Sequence, residues 1–156
     1  MGGLRVIGLG NLSRGDDAAG LLSARLVRDL SGDTLDVRES AAGGAALPEL
    51  MDGAERVVLI DAARGGQPPG TVHRLDASSN RIAREYFPCS SHDMGLADAI
   101  ELARALGTLP KQVIVYGIEA DSLEAGAELT EAVRLAVTAV ARRILELSWH
   151  LRGGVI

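Results

Sequence analysis

Three positions that could do acid–base or metal chemistry lie where a predicted strand gives way to a loop or helix. The first is one of the adjacent carboxylates Asp16 and Asp17, in the glycine-rich turn that follows the apolar run Leu4–Leu9. Asp61 comes directly after the apolar run Val57–Ile60, and His92 stands at the start of a predicted helix. In an open α/β sheet the carboxyl ends of parallel strands share one edge, where ligands bind. Carboxylate and imidazole groups gathered there would suit one divalent metal ion or one reacting bond.

Each of these residues also has a simpler structural explanation. Asp16 and Asp17 are adjacent, and one of them is predicted to cap the helix that follows. Asp61 would suit a turn at a strand end, and a lone histidine such as His92 is often structural or merely exposed. All three positions are predicted to lie on one edge of the sheet, which strengthens the functional interpretation. Both interpretations stay open at this point.

Strand-like and helix-like segments alternate along the chain, which predicts an α/β fold. Short apolar runs predict strands, and apolar positions at helical spacing predict helices. The predicted strands are 4–9, 35–39, 56–60, 71–75 and 111–118. The predicted helices run from 16 or 17 to about 30, over 45–51, from 91 or 93 to about 106, and from 130 to about 147. The stretch 79–89 is predicted to be a loop.

This order of segments predicts a three-layer α/β sandwich, with a mostly parallel twisted sheet and helices on both faces. The segment 71–75 follows Asp61 too closely for a crossover helix. It is therefore predicted to be the one antiparallel strand, at or near an edge of the sheet. A chain of 156 residues fits one domain, spanning 1–156.

Composition narrows the classes of partner. The net charge is -5 and there is no basic run, so we expect no binding to nucleic acid. The one cysteine, Cys89, cannot form an internal disulfide and suits a reducing compartment. No apolar stretch is long enough for a signal peptide or a membrane span. We therefore expect a cytoplasmic protein that does not enter a membrane.

The glycines after the first strand suggest one alternative. Gly8 and Gly10 begin like the fingerprint of a Rossmann-like nucleotide-binding protein, but the third glycine of that pattern is replaced by Ser13. The pair Asp16-Asp17 would repel a pyrophosphate at the helix start. Close backbone packing explains the two glycines equally well, and the nucleotide-binding alternative is kept beside the metal-site hypothesis.

Taken together, the motifs resemble those of the hydrogenase maturation proteases. These endopeptidases trim the C-terminal extension from the large subunit of nickel–iron hydrogenases after nickel insertion. The resemblance covers nearly the whole chain, and the motifs follow the family's order. The matching motifs are Gly8-Leu9-Gly10-Asn11 with Asp16-Asp17 and Gly20, Leu59-Ile60-Asp61-Ala62 with Pro69-Gly70-Thr71, Ser91-His92-Asp93-Met94-Gly95-Leu96, and Tyr116-Gly117-Ile118-Glu119 with Leu129-Thr130 and Val133.

The resemblance implies that Asp17, Asp61 and His92 contact the metal, with their part in bond cleavage left open. It also implies that the partner is a hydrogenase large-subunit precursor. That precursor would present the nickel through its own thiolates, so the protease need not hold the metal permanently. A chaperone-like protein that binds the nickel-loaded precursor without cutting it would need the same three residues. Such a non-catalytic chaperone remains a second alternative.

One loop departs from the family's pattern. Where the family often has D-G-G-T-x-G, this chain has Glu39-Ser40-Ala41-Ala42-Gly43-Gly44. Glu39 and Gly44 match the pattern, and the resemblance implies that they help to bind and select the substrate. The changed residues between them bear on which hydrogenase is the cognate one.

Overall fold

A computed structural model describes residues 3–87 and 94–154. These residues form five β-strands in a single sheet and four α-helices. The strands are β1 (Leu4–Leu9), β2 (Asp36–Ser40), β3 (Arg56–Ala63), β4 (Val72–Asp76) and β5 (Gln112–Glu119). The helices are α1 (Ala19–Ser31), α2 (Leu47–Met51), α3 (Leu96–Ala105) and α4 (Glu131–Leu151). The α/β fold class predicted from the sequence is confirmed.

The sheet has the order β2-β1-β3-β5-β4. Neighbouring strands from β2 to β5 run parallel, and β4 pairs antiparallel with β5 at the edge. The predicted antiparallel edge strand is therefore confirmed. The parallel order brings the carboxyl ends of β1, β3 and β5 to the same edge of the sheet, where ligands bind in such folds.

Each face of the sheet is covered by two helices. Val58 and Ile60 lie on the face that packs against α1 and α4, while Val57 and Leu59 face α2 and α3. A central strand buried on both faces needs an unbroken apolar run, because alternate residues enter different cores. This requirement explains the sequence of β3 and gives the predicted three-layer arrangement.

Helix α1 packs unusually close to β1. A Cβ atom added at Gly8 would meet the carbonyl oxygen of Gly20 and lie 2.7 Å from the Cβ of Ala24. Glycine at both positions lets the helix backbone touch the strand backbone. Gly8 therefore serves the close packing that was the simpler explanation of its place in the sequence.

The side chains predicted to cap the starts of α1 and α4 make no capping hydrogen bond there. A 3₁₀ turn, Gly15–Ala18, precedes α1, and the side chain of neither Asp16 nor Asp17 caps that helix. Thr130 does occupy the N-cap position of α4, but its hydroxyl group donates to Asp16 and accepts no hydrogen bond from the N–H groups of its own helix. The cap predicted at Ser91 or Asp93 lies outside the described residues. Local spacing identified these polar residues but not their distant partners.

Strand β3 continues three residues beyond its predicted end at Ile60. The pairing with β5 persists through Asp61 opposite Gly117 and Ala63 opposite Glu119. In the predicted loop that follows β4, the described part contains one 3₁₀ turn, Arg84–Tyr86. Among residues 3–87 and 94–154, no helix combines the length and apolar character that crossing a bilayer requires.

Candidate active site

A cavity of about 410 Å³ opens at the carboxyl edge of the parallel strands. Its wall is built from the turn after β1, the end of β3, and the segments around Gly44 and Gly95. Of the described residues, four with charged side chains line it: Arg14, Asp17, Asp61 and Arg64. A concave site with converging charged groups is where binding or catalysis is expected.

Asp17 projects into this cavity from the 3₁₀ turn before α1 and is half-buried. Burial raises the pKa of its carboxyl group, and the positive charge of Arg14 and a hydrogen bond from the backbone of Asn11 partly oppose that rise. Arg14 is itself held by a hydrogen bond from its Nε to the carbonyl oxygen of Leu123, at 3.3 Å. The Asp17 carboxylate thus lies in a partly desolvated position beside one cation.

Asp61 reaches the same cavity from within β3. The backbone N–H of Ala62 donates to its Oδ1 at 2.8 Å. Burial raises the pKa of Asp61 well above its ordinary value, and the negative charge of Asp17 raises it further. The effect of the Asp17 charge on Asp61 is expected of two carboxyl groups in one site, because like charges penalise the doubly ionised state.

Asp16 has a different surrounding from its neighbour Asp17. Its side chain is fully buried and lies apart from the residues that line the cavity. It accepts hydrogen bonds from the backbone N–H groups of Asp121, Ser122 and Thr130, at 2.8, 3.2 and 2.8 Å, and from the hydroxyl of Thr130 at 2.9 Å. Asp16 therefore fastens the chain before α4 to the turn that presents Asp17.

Gly44 also lines the cavity, where it allows two backbone segments to touch. Its N–H donates to the carbonyl oxygen of Met94 at 2.8 Å. A Cβ atom at this position would lie 2.5 Å from the carbonyl oxygen of Gly95. The glycine thereby fixes the start of α3 against the loop after β2.

Glu39, predicted with Gly44 to bind substrate, is not among the residues that line the cavity. Its carboxylate forms ion pairs of 2.9 Å with both Arg25 and Arg28 on α1. The hydrogen bond from Arg25 is the main reason that the pKa of Glu39 lies below its ordinary value. In this structure Glu39 joins β2 to α1.

His92 lies outside the described residues, so its predicted place in the site stays a prediction. Residues Phe87 and Met94, on either side of the segment 88–93, both line the cavity. Within the described residues, no group of three histidine, cysteine, aspartate or glutamate side chains is arranged to hold a metal ion. The pair Asp17 and Asp61 is what the structure brings together.

Sequence reasoning assigned no functional role to Arg14, Arg64 or Glu119. Arg14 and Arg64 line the cavity, although neither belongs to a motif used above. Glu119, which is 2% exposed, accepts a 2.7 Å hydrogen bond from the N–H of Gly65 and contacts Nε2 of His73 at 2.8 Å. The local signal that could have placed Arg64 near the cavity is its position in the chain, three residues after Asp61.

Comparisons with known proteins agree with this fold. A family model described as "Hydrogenase maturation protease" matches residues 26–147, a range that includes Asp61 and begins after Asp17. The chain is 26% identical over 149 residues to the hydrogenase 2 maturation protease of Escherichia coli, covering 90% of this chain and 87% of that protein. It is 24% identical over 144 residues to the hydrogenase expression/formation protein HupD of Thiocapsa roseopersicina, covering 90% of this chain but only 65% of that protein. The solved structure of the hydrogenase maturating endopeptidase HybD from Escherichia coli superimposes with a TM-score of 0.69 at 25% identity, covering 97% of this chain and 94% of that one.

Proposed function

The chain belongs to the hydrogenase maturation protease family, and we propose that it is an endopeptidase that removes the C-terminal extension of a nickel–iron hydrogenase large-subunit precursor after nickel insertion. The observation that carries this proposal is the coupled pair Asp17 and Asp61 in one open cavity. The names of the Escherichia coli relatives, a maturation protease and a maturating endopeptidase, support it further.

In this proposal nickel arrives as part of the substrate, held by thiolates of the precursor. Burial raises the pKa of both carboxyl groups, and the charge of Asp17 raises that of Asp61 further, so full ionisation of the pair is disfavoured. A divalent cation presented by the substrate would relieve that repulsion. Oxygen ligands from Asp17 and Asp61 and a nitrogen ligand from His92 suit nickel, but without a thiolate they leave its coordination shell incomplete. The site therefore favours nickel already bound by the precursor.

Two routes for the cleavage step fit these residues. In one, nickel bound by the precursor polarises the scissile carbonyl group or activates a water molecule. In the other, an aspartate of the pair acts as general base on water. Asp61 suits the second role better than Asp17 does, because its pKa is raised further toward neutral pH, where a general base works best.

The direct test uses large-subunit precursor from the same organism, prepared with and without nickel. We expect the wild-type protein to shorten only the nickel-loaded precursor, as read by intact-mass spectrometry. Asp17→Asn and Asp61→Asn should lower the processing rate by at least about 100-fold, since even outer-shell changes at metal sites cost up to about that factor. Asp29→Asn, an exposed change on α1, is the matched control and should process normally.

Metal analysis of the purified protein completes the test. The proposal expects no stoichiometric nickel in the protease before it meets the precursor. Tightly held metal in the free protein, or efficient cutting of nickel-free precursor, would contradict it. Either result would indicate an ordinary metalloprotease or hydrolysis driven by the carboxylates alone.

The two alternatives predict different results in the same experiment. A non-catalytic chaperone would bind the nickel-loaded precursor and leave its mass unchanged. A Rossmann-like nucleotide-binding protein would ignore the precursor. That last function is disfavoured because Asp17 faces the cavity after β1, where a pyrophosphate would need positive or neutral surroundings. The proposal places the reaction in the cytoplasm, which suits the thiolates that would carry the nickel.

A further inference from the structure

Arg64 lines the wall of the cavity that holds Asp17 and Asp61. Its side chain is exposed, and it has no hydrogen-bond or ion-pair partner through that side chain among the residues that the structure describes. Several other arginines of the chain pair with carboxylates. These are Arg5, Arg25, Arg28, Arg38, Arg84, Arg104 and Arg134. Arg64 differs from them because it lines a cavity and forms no ion pair with any carboxylate of the described residues.

The backbone of Arg64 and Gly65 is held by two hydrogen bonds, one to the half-buried Tyr86 and one to the buried Glu119. The N–H of Arg64 donates to the carbonyl oxygen of Tyr86 at 2.8 Å, and the N–H of Gly65 donates to Oε1 of Glu119 at 2.7 Å. The same Glu119 oxygen contacts Nε2 of His73 at 2.8 Å, which fixes the carboxylate in place. Such supporting contacts preorganise a binding group, because less freedom is lost when the ligand arrives.

Gly65 is part of this support. A Cβ atom on it would lie 2.6 Å from the ring of Tyr86 and 2.8 Å from the Glu119 carboxylate. The backbone after β3 therefore packs tightly against a half-buried aromatic ring and a buried carboxylate. This contact fixes the backbone next to Arg64, whose side chain is exposed and lines the cavity.

The guanidinium of Arg64 is also not the counter-charge of the acidic pair. Burial raises the pKa of Asp17, and Arg14 is the cation that lowers it in part. The pKa of Asp61 is set by burial, by the charge of Asp17 and by the hydrogen bond from the N–H of Ala62. Arg64 therefore remains available to a group that enters from outside. A planar guanidinium with several N–H donors is best matched by a carboxylate, which it binds through two parallel hydrogen bonds.

We propose that Arg64 is a specificity-determining residue that binds a carboxylate of the precursor's C-terminal extension while the scissile bond lies near Asp17 and Asp61. This inference rests on the proposed function, because it takes the precursor as the molecule that fills the cavity. The carboxylate has two possible sources in a peptide, an acidic side chain and the free C-terminus. Both have the same chemistry, and the experiment separates them.

The test compares wild type, Arg64→Gln and Arg64→Lys on nickel-loaded precursor, measuring both the Kd for binding and the kinetics of processing. Losing a charge-assisted pair should raise Kd and KM by about 10- to 100-fold for Arg64→Gln, with kcat changed by less than about twofold. Arg64→Lys should recover part of the affinity, since an ammonium group keeps the charge but not the paired geometry. Arg143→Gln, an exposed change on α4 away from the cavity, is the matched control.

Two modified precursors identify the source of the carboxylate. One has the acidic side chains of the extension replaced by their amides, and the other has an amidated C-terminus. The modification that removes the true partner should raise the Kd of wild type to the level of Arg64→Gln and should leave Arg64→Gln unchanged. If wild type still binds both modified precursors about tenfold more tightly than Arg64→Gln does, carboxylate recognition by Arg64 is excluded.

The outcomes separate this inference from the proposed function. Normal Kd and KM in Arg64→Gln, with processing intact, would overturn the role of Arg64 and leave the endopeptidase function standing. Binding without cutting by wild type would overturn the endopeptidase function, while the Kd series would still decide the role of Arg64. A wild-type protein that neither binds nor cuts the precursor would overturn both. If Arg64→Gln fails to fold by circular dichroism, Arg64→Lys and the modified precursors give the same decision.

Discussion

Asp16 and Thr130 lie 114 residues apart and are joined by two kinds of hydrogen bond. The backbone N–H of Thr130 donates to Oδ1 of Asp16 at 2.8 Å, and its hydroxyl donates to Oδ2 at 2.9 Å. The link fastens the start of α4 to the turn Gly15–Ala18. Because Asp17 is the next residue in that turn, the same link holds the Asp17 carboxylate at the cavity.

Asp16→Asn should therefore destabilise the fold. The asparagine side chain has an NH₂ group in place of one carboxylate oxygen. In this fully buried position, that NH₂ group would face the backbone N–H donors of Asp121, Ser122 and Thr130 and leave some of them without an acceptor. We expect a loss of about 3 kcal/mol or more in the free energy of unfolding, measured by urea denaturation. Asp17→Asn is the control, since it removes a cavity carboxylate without breaking this link. Wild-type stability in Asp16→Asn would contradict the structural role of Asp16.

Asp61→Asn should make the protein more stable at neutral pH. The pKa of Asp61 is raised in the folded state, so the folded protein binds more protons than the unfolded chain between the unfolded pKa, about 3.9, and the raised value. The free energy of unfolding must then fall as the pH rises through that window. Asparagine cannot ionise, and its amide oxygen can still accept the N–H of Ala62.

Urea denaturation from about pH 4 to about pH 8 measures this effect. The stability advantage of Asp61→Asn over wild type should grow with pH and shrink toward the acid end. Asp29→Asn, on the exposed face of α1, should show no such trend. A difference between Asp61→Asn and wild type that stays constant with pH would mean that Asp61 ionises as freely in the folded protein as in the unfolded chain.

His92→Ala should abolish processing of nickel-loaded precursor and leave the fold nearly unchanged. The sequence predicts His92 as the third metal-contacting group, and surface changes usually alter stability by only about 0.5 kcal/mol. Processing is followed by intact-mass spectrometry, and folding by thermal denaturation. His150→Ala, at the end of α4, is the matched control. Near-normal trimming by His92→Ala would show that this histidine is not a ligand, and unfolding would show that its role is structural.

Gly44→Ala should damage the cavity wall. The added methyl group would meet the backbone of Met94 and Gly95, which cannot move as a flexible side chain would. Overpacking of this kind costs about 1–3 kcal/mol, and the shift should also weaken precursor binding. Gly3→Ala is the control, because its Cβ would enter open space. If Gly44→Ala matches Gly3→Ala in both stability and binding, the close contact with Gly95 has no functional consequence.

Local sequence patterns predicted most of the fold. Apolar runs such as Val57–Ile60 can be read directly, because a buried parallel strand needs apolar residues on both faces. The short interval between Asp61 and the strand Val72–Asp76 was enough to predict an antiparallel edge, since it leaves no room for a crossover helix. The motif positions also indicated that Asp17 and Asp61 belong to one sheet edge, because parallel strands end together.

Local spacing by itself could not tell the two adjacent aspartates apart, and the resemblance that singled out Asp17 did not predict the contacts of Asp16 or Glu39. Only the folded chain brings Thr130 to Asp16 and two arginines of α1 to Glu39, and leaves Asp17 facing the cavity. The same holds for Arg64, whose position depends on buried contacts with residues from distant strands and turns. Periodicity and spacing report which face of an element is apolar, because that preference is set by near neighbours in the chain. The partner of a polar side chain is set by tertiary contacts between residues far apart in sequence, and those contacts decided which charges are structural and which remain free to act.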